Sequence, residues 1–262
     1  MKKLFYLSGL PLLLLGSCNA PINVYSYNSE GYIKRTESVT FLENITSINV
    51  NWVGGKVLFE KIYGEDQRLY IEEKGNNKDE YPLYYKVEGT KLTIHALESG
   101  TSNEVLNDLS KNLTVGIPDV LKDIAVNTID TDVKLEAYLD FKNASFASIN
   151  GSYTFGSYES FKTTFDCVNT KVICDYINCP LASKSGPVLN HEVDIDAVDC
   201  DFTFTYTPDE SYGFEVKMKG TNNTFGSNLS VDNALDYGEK HLQVDFDGVN
   251  SKLVVNNWSG EN

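Results

Sequence analysis

The chain has 262 residues, with 37 acidic side chains against 22 basic ones and a formal charge of −15. A surface of that sign repels nucleic acid and other polyanions, so no nucleic-acid partner is expected. The length allows one all-β domain or two small ones.

Lys2 and Lys3 precede an apolar run from Leu4 to Leu15, followed by Gly16, Ser17 and Cys18. Basic start, short apolar core and small residues form an export leader. The run is too short to span a bilayer and is interrupted by Pro11. Leu15-Gly16-Ser17-Cys18 resembles the lipobox of bacterial lipoproteins. That resemblance implies removal of residues 1–17, a diacylglycerol on the Cys18 sulfur and an acylated new amino terminus. Two or three acyl chains, at about 0.8 kcal/mol per buried methylene, hold a protein firmly to a membrane. The membrane is therefore the first expected partner and the bacterial envelope the expected location. Residues 18–36, with Pro21, Asn28, Ser29 and Gly31, read as a tether.

Residues 37–119 read as an N-terminal β cap. Ile48/Val50/Val57/Phe59 and Tyr85/Val87/Leu92/Ile94 place alternating apolar residues around Gly54-Gly55 and Gly89-Thr90, as hairpins do. A short helix is expected at Glu104 to Lys111. Leu113-Val115-Ile117 then leads through Pro118 into the next region.

Residues 120–258 carry an internal repeat. In Ile124/Val126/Val133, Phe146/Ser148/Phe155, Phe165/Cys167/Cys174, Val193/Ile195/Phe202, Val216/Met218/Phe225 and Val244/Phe246/Leu253 the last two members are seven apart. The second members recur at intervals of 22, 19, 28, 23 and 28 residues, the period range of a β-solenoid with loop insertions. Asp130, Gly151, Asn169, Gly220 and Gly248 mark the turns. The expected fold is all-β, a single-stranded β-helix or solenoid with an N-terminal β-hairpin cap. This register predicts outward ladders Asp166–Asp194–Lys217–Asp245 and Val168–Asp196–Lys219–Asp247, each lysine between two aspartates.

The runs Ile48-Asn49-Val50-Asn51-Trp52-Val53-Gly54-Gly55-Lys56-Val57, Tyr85 to Ile94 and Leu113-Thr114-Val115-Gly116-Ile117-Pro118 resemble the opening of the bacterial putative-adhesin family. Its members are β-solenoid domains of unknown function, related to auto-transporter adhesin heads. The resemblance spans roughly Ser38 to Val255 and carries no catalytic residues over. The family's glycine-aspartate turns read here as Ile129-Asp130-Thr131-Asp132 or Val198-Asp199-Cys200-Asp201.

Asp194, Asp196, Asp199 and Asp201 form the densest carboxylate set and a candidate binding edge. Loops at about Cys179 to Asn190 and Ser230 to His241 would flank it. The set lacks the spacing of known calcium loops, and no metal or cofactor is expected. Cys167, Cys174, Cys179 and Cys200 remain after export and read as buried free thiols, lacking zinc-ligand spacing. His95, His191 and His241 accompany no recognisable nucleophile, and Tyr81, Tyr84 and Tyr85, which could offer sugar-stacking faces, read first as strand residues on pleated, half-buried surfaces. Two functions follow. One is a non-enzymatic lipid-anchored protein presenting a rigid scaffold to a protein or glycan ligand. The other is a glycosidase-like enzyme using paired aspartates.

Overall fold

The computed structural model describes residues 24–64, 67–75, 79–102, 105, 109–136, 138–178, 189–206, 213–228 and 235–257. The first half contains β1 (Val24–Tyr25), β2 (Ile33–Arg35), β3 (Val39–Thr40), β4 (Ser47–Val53), β5 (Lys56–Lys61), β6 (Tyr70–Gly75), β7 (Leu83–Glu88), β8 (Lys91–His95), β9 (Thr101–Ser102) and β10 (Lys111–Ile117). Then come β11 (Asp123–Ile129), β12 (Asp132–Leu135), β13 (Leu139–Asn178), β14 (His191–Val198), β15 (Asp201–Tyr206), β16 (Gly213–Thr221), β17 (Thr224–Ser227), β18 (Asp236–Tyr237), β19 (Lys240–Val249) and β20 (Lys252–Asn257). The fold is all-β, built on one long, curled, open sheet.

Two strands meeting at a bend make a tier, and tiers stack through parallel ladders. β11 lies between β4 and β13, with Val50, Val126 and Phe146 in line. β12 lies between β5 and β13, with Val57, Val133 and Tyr153 in line. β13 passes through two tiers. Its halves are held in step by stacked Phe146 and Phe165 rings, 5.4 Å apart, and by Asn169 Nδ2 donating to Asn150 Oδ1 at 3.0 Å. β14 and β15 follow on the second half, Phe165 facing Ile195 and Val172 facing Phe202. Inside, apolar side chains pile up along the stack. The Phe165, Phe202 and Phe246 rings, each buried, succeed one another at 5.6 and 5.8 Å.

The bends from β11 onward share one chemistry. Asp130, Asn150, Asn169, Asp199, Asn222 and Asn250 all adopt positive φ, 48–57°. Asn and Asp visit this left-handed region most readily after glycine. Asn250 Nδ2 donates to Asp199 Oδ1 at 3.2 Å, and Asn222 Nδ2 to Asn250 Oδ1 at 3.1 Å, so the bends are stitched from tier to tier. The next residue often turns a small donor back on the chain. Thr131, Thr170, Cys200 and Ser251 bond the carbonyls of Ile129, Val168, Val198 and Val249 at 2.8–3.1 Å.

These bends fix a register that differs from the sequence expectation in two tiers. Phe146, not Ser148, aligns with Val126, and Phe165, not Cys167, with Ile195. Because side chains alternate, a slip of two residues keeps the apolar face inside and leaves the pattern looking correct. The tier order also differs. β19 lies between β14 and β16, and β20 between β15 and β17. The chain therefore skips one level and returns to fill it.

At the other end β4 and β5 do not pair with each other. Gly54 and Gly55 form a bend, and the two strands stack on β8 and β10 respectively in parallel. A Cβ on Gly55 would lie 2.0 Å from the Lys111 carbonyl oxygen, so the close approach of β10 requires glycine. Gly89-Thr90 does turn a hairpin, β7 to β8. Antiparallel β2, β7, β3 and β6 close this end, β7 on β8 and β6 on β10. The cap is fastened by a fully buried ion pair, Lys111 Nζ to Glu73 Oε1 at 2.8 Å. Lys111 also donates to the Tyr81 and Ala96 carbonyls and lies 5.2 Å from the Trp52 ring centre, while Glu73 Oε2 accepts the Leu83 amide at 3.1 Å.

Part of the expected tether is built into the body. β1 pairs with β9, Tyr25 is buried, and Tyr27 stacks on His95 at 3.7 Å. Aromatic side chains in this segment give it apolar area to bury, which a solvated linker lacks. Cys18, Cys179 and residues 104 and 106–108 lie outside the described residues, and Lys111, expected to end a short helix, opens β10 instead.

Candidate functional site

Outward side chains of the first strand of each tier form three rows crossing the whole stack. One runs Lys91, Ser47, Asp123, Asn143, and through Lys162 to Glu192, Gln243 and Glu215. The next runs Thr93, Asn49, Ala125, Ser145, and through Thr164 to Asp194, Asp245 and Lys217. The third runs His95, Asn51, Asn127, Ala147, and through Asp166 to Asp196, Asp247 and Lys219. The rows change character midway. Small and uncharged side chains dominate before β14, and carboxylates after it.

The expected aspartate edge is divided by this geometry. Asp194 and Asp196 point outward from β14 and face Asp245 and Asp247 of β19. Lys217 and Lys219 lie beyond these, on the far side of β19, so neither stands between two aspartates. Because β19 occupies the level expected for β16, like charges meet. Burial first, and Asp196 second, push the Asp166 carboxyl above its usual range. Cations relieve the field from the flanks: Lys162 reaches Asp194 at 2.9 Å, and Lys219 reaches both oxygens of Asp245 at 2.8 and 2.9 Å. Asp199 sits in the bend, accepting from Asn250. Asp201 lies on the other arm, between Lys171 and Lys252. Alternating charge does occur, then, but in the row Lys171, Asp201 and Lys252 on the second strands. A depression of about 200 Å³ beside Asp194 is lined by Glu192, Glu215, Lys217 and Asp245, with no aromatic ring.

A larger depression, about 330 Å³, opens across the uncharged part of the rows. Its lining includes Ser47, Asn49, Ala125, Asn143 and Ser145, with Lys91 at one end and Lys162 at the other. It exists because small side chains occupy outward positions in neighbouring tiers. Asn127 Nδ2 donates to the Oδ1 atoms of Asn49 and Asn51 at 3.1 and 3.0 Å, and Asn143 Nδ2 to Asp123 Oδ1 at 2.7 Å. The amide side chains are thus held in place beforehand. Sequence reasoning passed over these residues because nothing about single serines and asparagines stands out until the register aligns them.

The remaining reactive groups are structural. His191 is buried, its Nδ1–H donating to the Asn178 carbonyl at 2.8 Å and its Nε2 accepting from Thr163, whose hydroxyl in turn takes the Tyr158 O–H at 2.6 Å. Burial pushes His191 and His95 down to about 4. Cys167, Cys174 and Cys200 are buried free thiols, pushed up by burial. Among the described residues no group of three or more His, Cys, Asp and Glu side chains converges as a metal site.

No family model matches the chain, and no curated protein matches it. Among solved structures it is similar to a putative adhesin from Bacteroides fragilis, at 15% identity over 88% of this chain and 98% of that one, with a TM-score of 0.49. It is also similar to a putative cell adhesion protein from Clostridium sporogenes, at 14% identity over 85% and 99%, TM-score 0.43. A putative lipid binding protein from Parabacteroides distasonis follows at 12% identity over 88% and 98%, TM-score 0.34.

Proposed function

We propose that this is a lipid-anchored bacterial cell-envelope protein, non-enzymatic, that presents a rigid β-solenoid for adhesion or partner binding. The observation that carries the reading is the leader ending in Leu15-Gly16-Ser17-Cys18, where Cys18 takes the lipid. The stacked parallel tiers support the solenoid part, since each tier contacts chiefly its neighbours. The larger depression supports a binding rather than a hydrolytic role. It is lined by one carboxylate, Asp123, already bonded to Asn143, whereas glycoside hydrolysis uses two facing carboxylates. The β14–β19 aspartates Asp194 and Asp196 enter this reading as a charged, solvated edge beside the display face.

The test is cell fractionation of the native protein and of Cys18→Ser, with externally added protease on intact cells. Membrane association that is lost in the variant supports anchoring at Cys18; a variant that stays with the membrane contradicts it.

A further inference from the structure

We propose that the depression across Ser47, Ala125 and Ser145 binds an acidic oligosaccharide, its hydroxyls on the amide and hydroxyl side chains and its carboxylates on Lys91 and Lys162. The site rests on the display reading above and gives it a ligand class.

The ligand class follows from what the groove offers and withholds. The groove runs across the strands, over ladders in which β4 and β11 are paired on both sides. Their main-chain groups are consumed, so a peptide finds no edge on which to add a strand. Recognition is left to side chains. Asn49, Asn143, Ser47, Ser145 and Thr164 supply both donors and acceptors, the complement of a hydroxyl-rich chain. Two of the amides are already oriented by Asn127 and Asp123, which lowers the entropy lost on binding.

The charge at the ends sets the sign. From β8 to the second half of β13 there are four strand spacings, about 19 Å, with Lys91 and Lys162 at the limits. Lys91 has no ion-pair partner among the described residues, since Glu88 opposite it pairs with Lys86 at 2.7 Å. Lys162 is shared with Asp194 in an exposed pair, a weak competitor for a ligand carboxylate. The protein's net charge does not forbid this. Lys91 stands five strand spacings, about 24 Å, from the β14 carboxylates, well beyond the screening length of about 8 Å, whereas Glu192 and Asp194 adjoin Lys162 and compete there; Asp123, within the groove, is held by the Asn143 amide. The β14 carboxylates also close the site, because an anionic chain continuing past Lys162 would meet Glu192 and Asp194.

The experiment is titration of the purified protein with a hyaluronan tetrasaccharide, using chitotetraose as the uncharged counterpart, by calorimetry and by chemical shifts. The expected result is binding at least tenfold tighter for the acidic probe. Lys91→Glu should weaken it at least tenfold, and Ala125→Trp, which fills the groove, should abolish it. Asp194→Asn, by releasing Lys162, should tighten it several-fold. No binding at millimolar probe, equal affinity for both sugars, or affinity unchanged in Lys91→Glu would overturn the site. Lys91 is exposed and has no ion-pair partner among the described residues, and Lys91→Gln, which sets no like charge opposite Glu88, should weaken binding in the same direction and keeps the test independent of folding. Cleavage of the probe would overturn the non-enzymatic reading and leave the site standing, whereas absence of binding overturns the site alone.

Discussion

Asp166 lies directly opposite Asp196 across parallel strands, and Asp196 lies opposite Asp247 in turn. Like charges so placed oppose folding by about 0.2–1 kcal/mol per pair. The Asp166 carboxyl, raised by burial and by Asp196, binds its proton more tightly folded than unfolded. Its ionisation therefore costs stability as pH rises through that range. Asp166→Asn should stabilise the protein by about 0.5 kcal/mol at pH 7, with the gain shrinking toward pH 4 as Asp166 itself becomes protonated. Urea unfolding at both pH values measures this.

His191 works in the opposite direction. Its folded value near 4 lies below the ordinary 6.5, so the unfolded chain takes up the proton first. The stability it confers is complete above about pH 6.5 and is lost as pH falls toward 4, where the loss reaches roughly 3 kcal/mol. His95 adds a similar loss. In His191→Gln the slope of stability against pH over this window should fall to about half that part of the native slope due to the two histidines. An unchanged slope would show that His191 is not held neutral.

The bends make a backbone prediction. Asn169 has φ 48°, and an L-residue without a local hydrogen bond pays about 1–2 kcal/mol in that region. Asn169→Ala should destabilise by about 2 kcal/mol, adding the lost bond to Asn150, and Asn169→Gly by less than half as much. Chemical denaturation of the two variants separates conformational strain from the lost amide bond.

The Lys111–Glu73 pair is wholly buried, so breaking it leaves an uncompensated charge. Lys111→Met should cost about 3–5 kcal/mol, while Lys111→Met with Glu73→Leu should recover most of that loss. Equal losses in the single and double variants would mean that packing around Trp52, not charge, sets the penalty.

Much of this architecture is visible in the sequence, and what is not visible is chiefly which strands lie side by side. Alternating Val, Ile and Phe show the strands, and a seven-residue spacing across each bend is real, as in Val126/Val133, Phe146/Tyr153, Phe165/Val172 and Ile195/Phe202. Period-two patterns cannot tell Phe146 from Ser148 as the start of a tier. The Asp or Asn four residues after the first member can, since Asp130, Asn150, Asn169, Asp199, Asn222 and Asn250 all keep that offset. The exchange of β16 and β19 has no such local signature. Both strands offer an apolar inner face and charged outer positions, and either order buries the same residues. The expected ladders with a lysine between two aspartates fail for that reason, since Lys217 and Lys219 stand on the far side of β19. The groove was missed because its residues are ordinary singly and meaningful only side by side.

Attachment at Cys18 is what would place this scaffold at the membrane. Mass spectrometry of the amino-terminal peptide, from protein extracted out of membranes, tests it directly. The predicted result is a peptide that begins at Cys18 and carries diacylglycerol mass on its sulfur; a peptide beginning elsewhere, or an unmodified Cys18 thiol, would contradict the account.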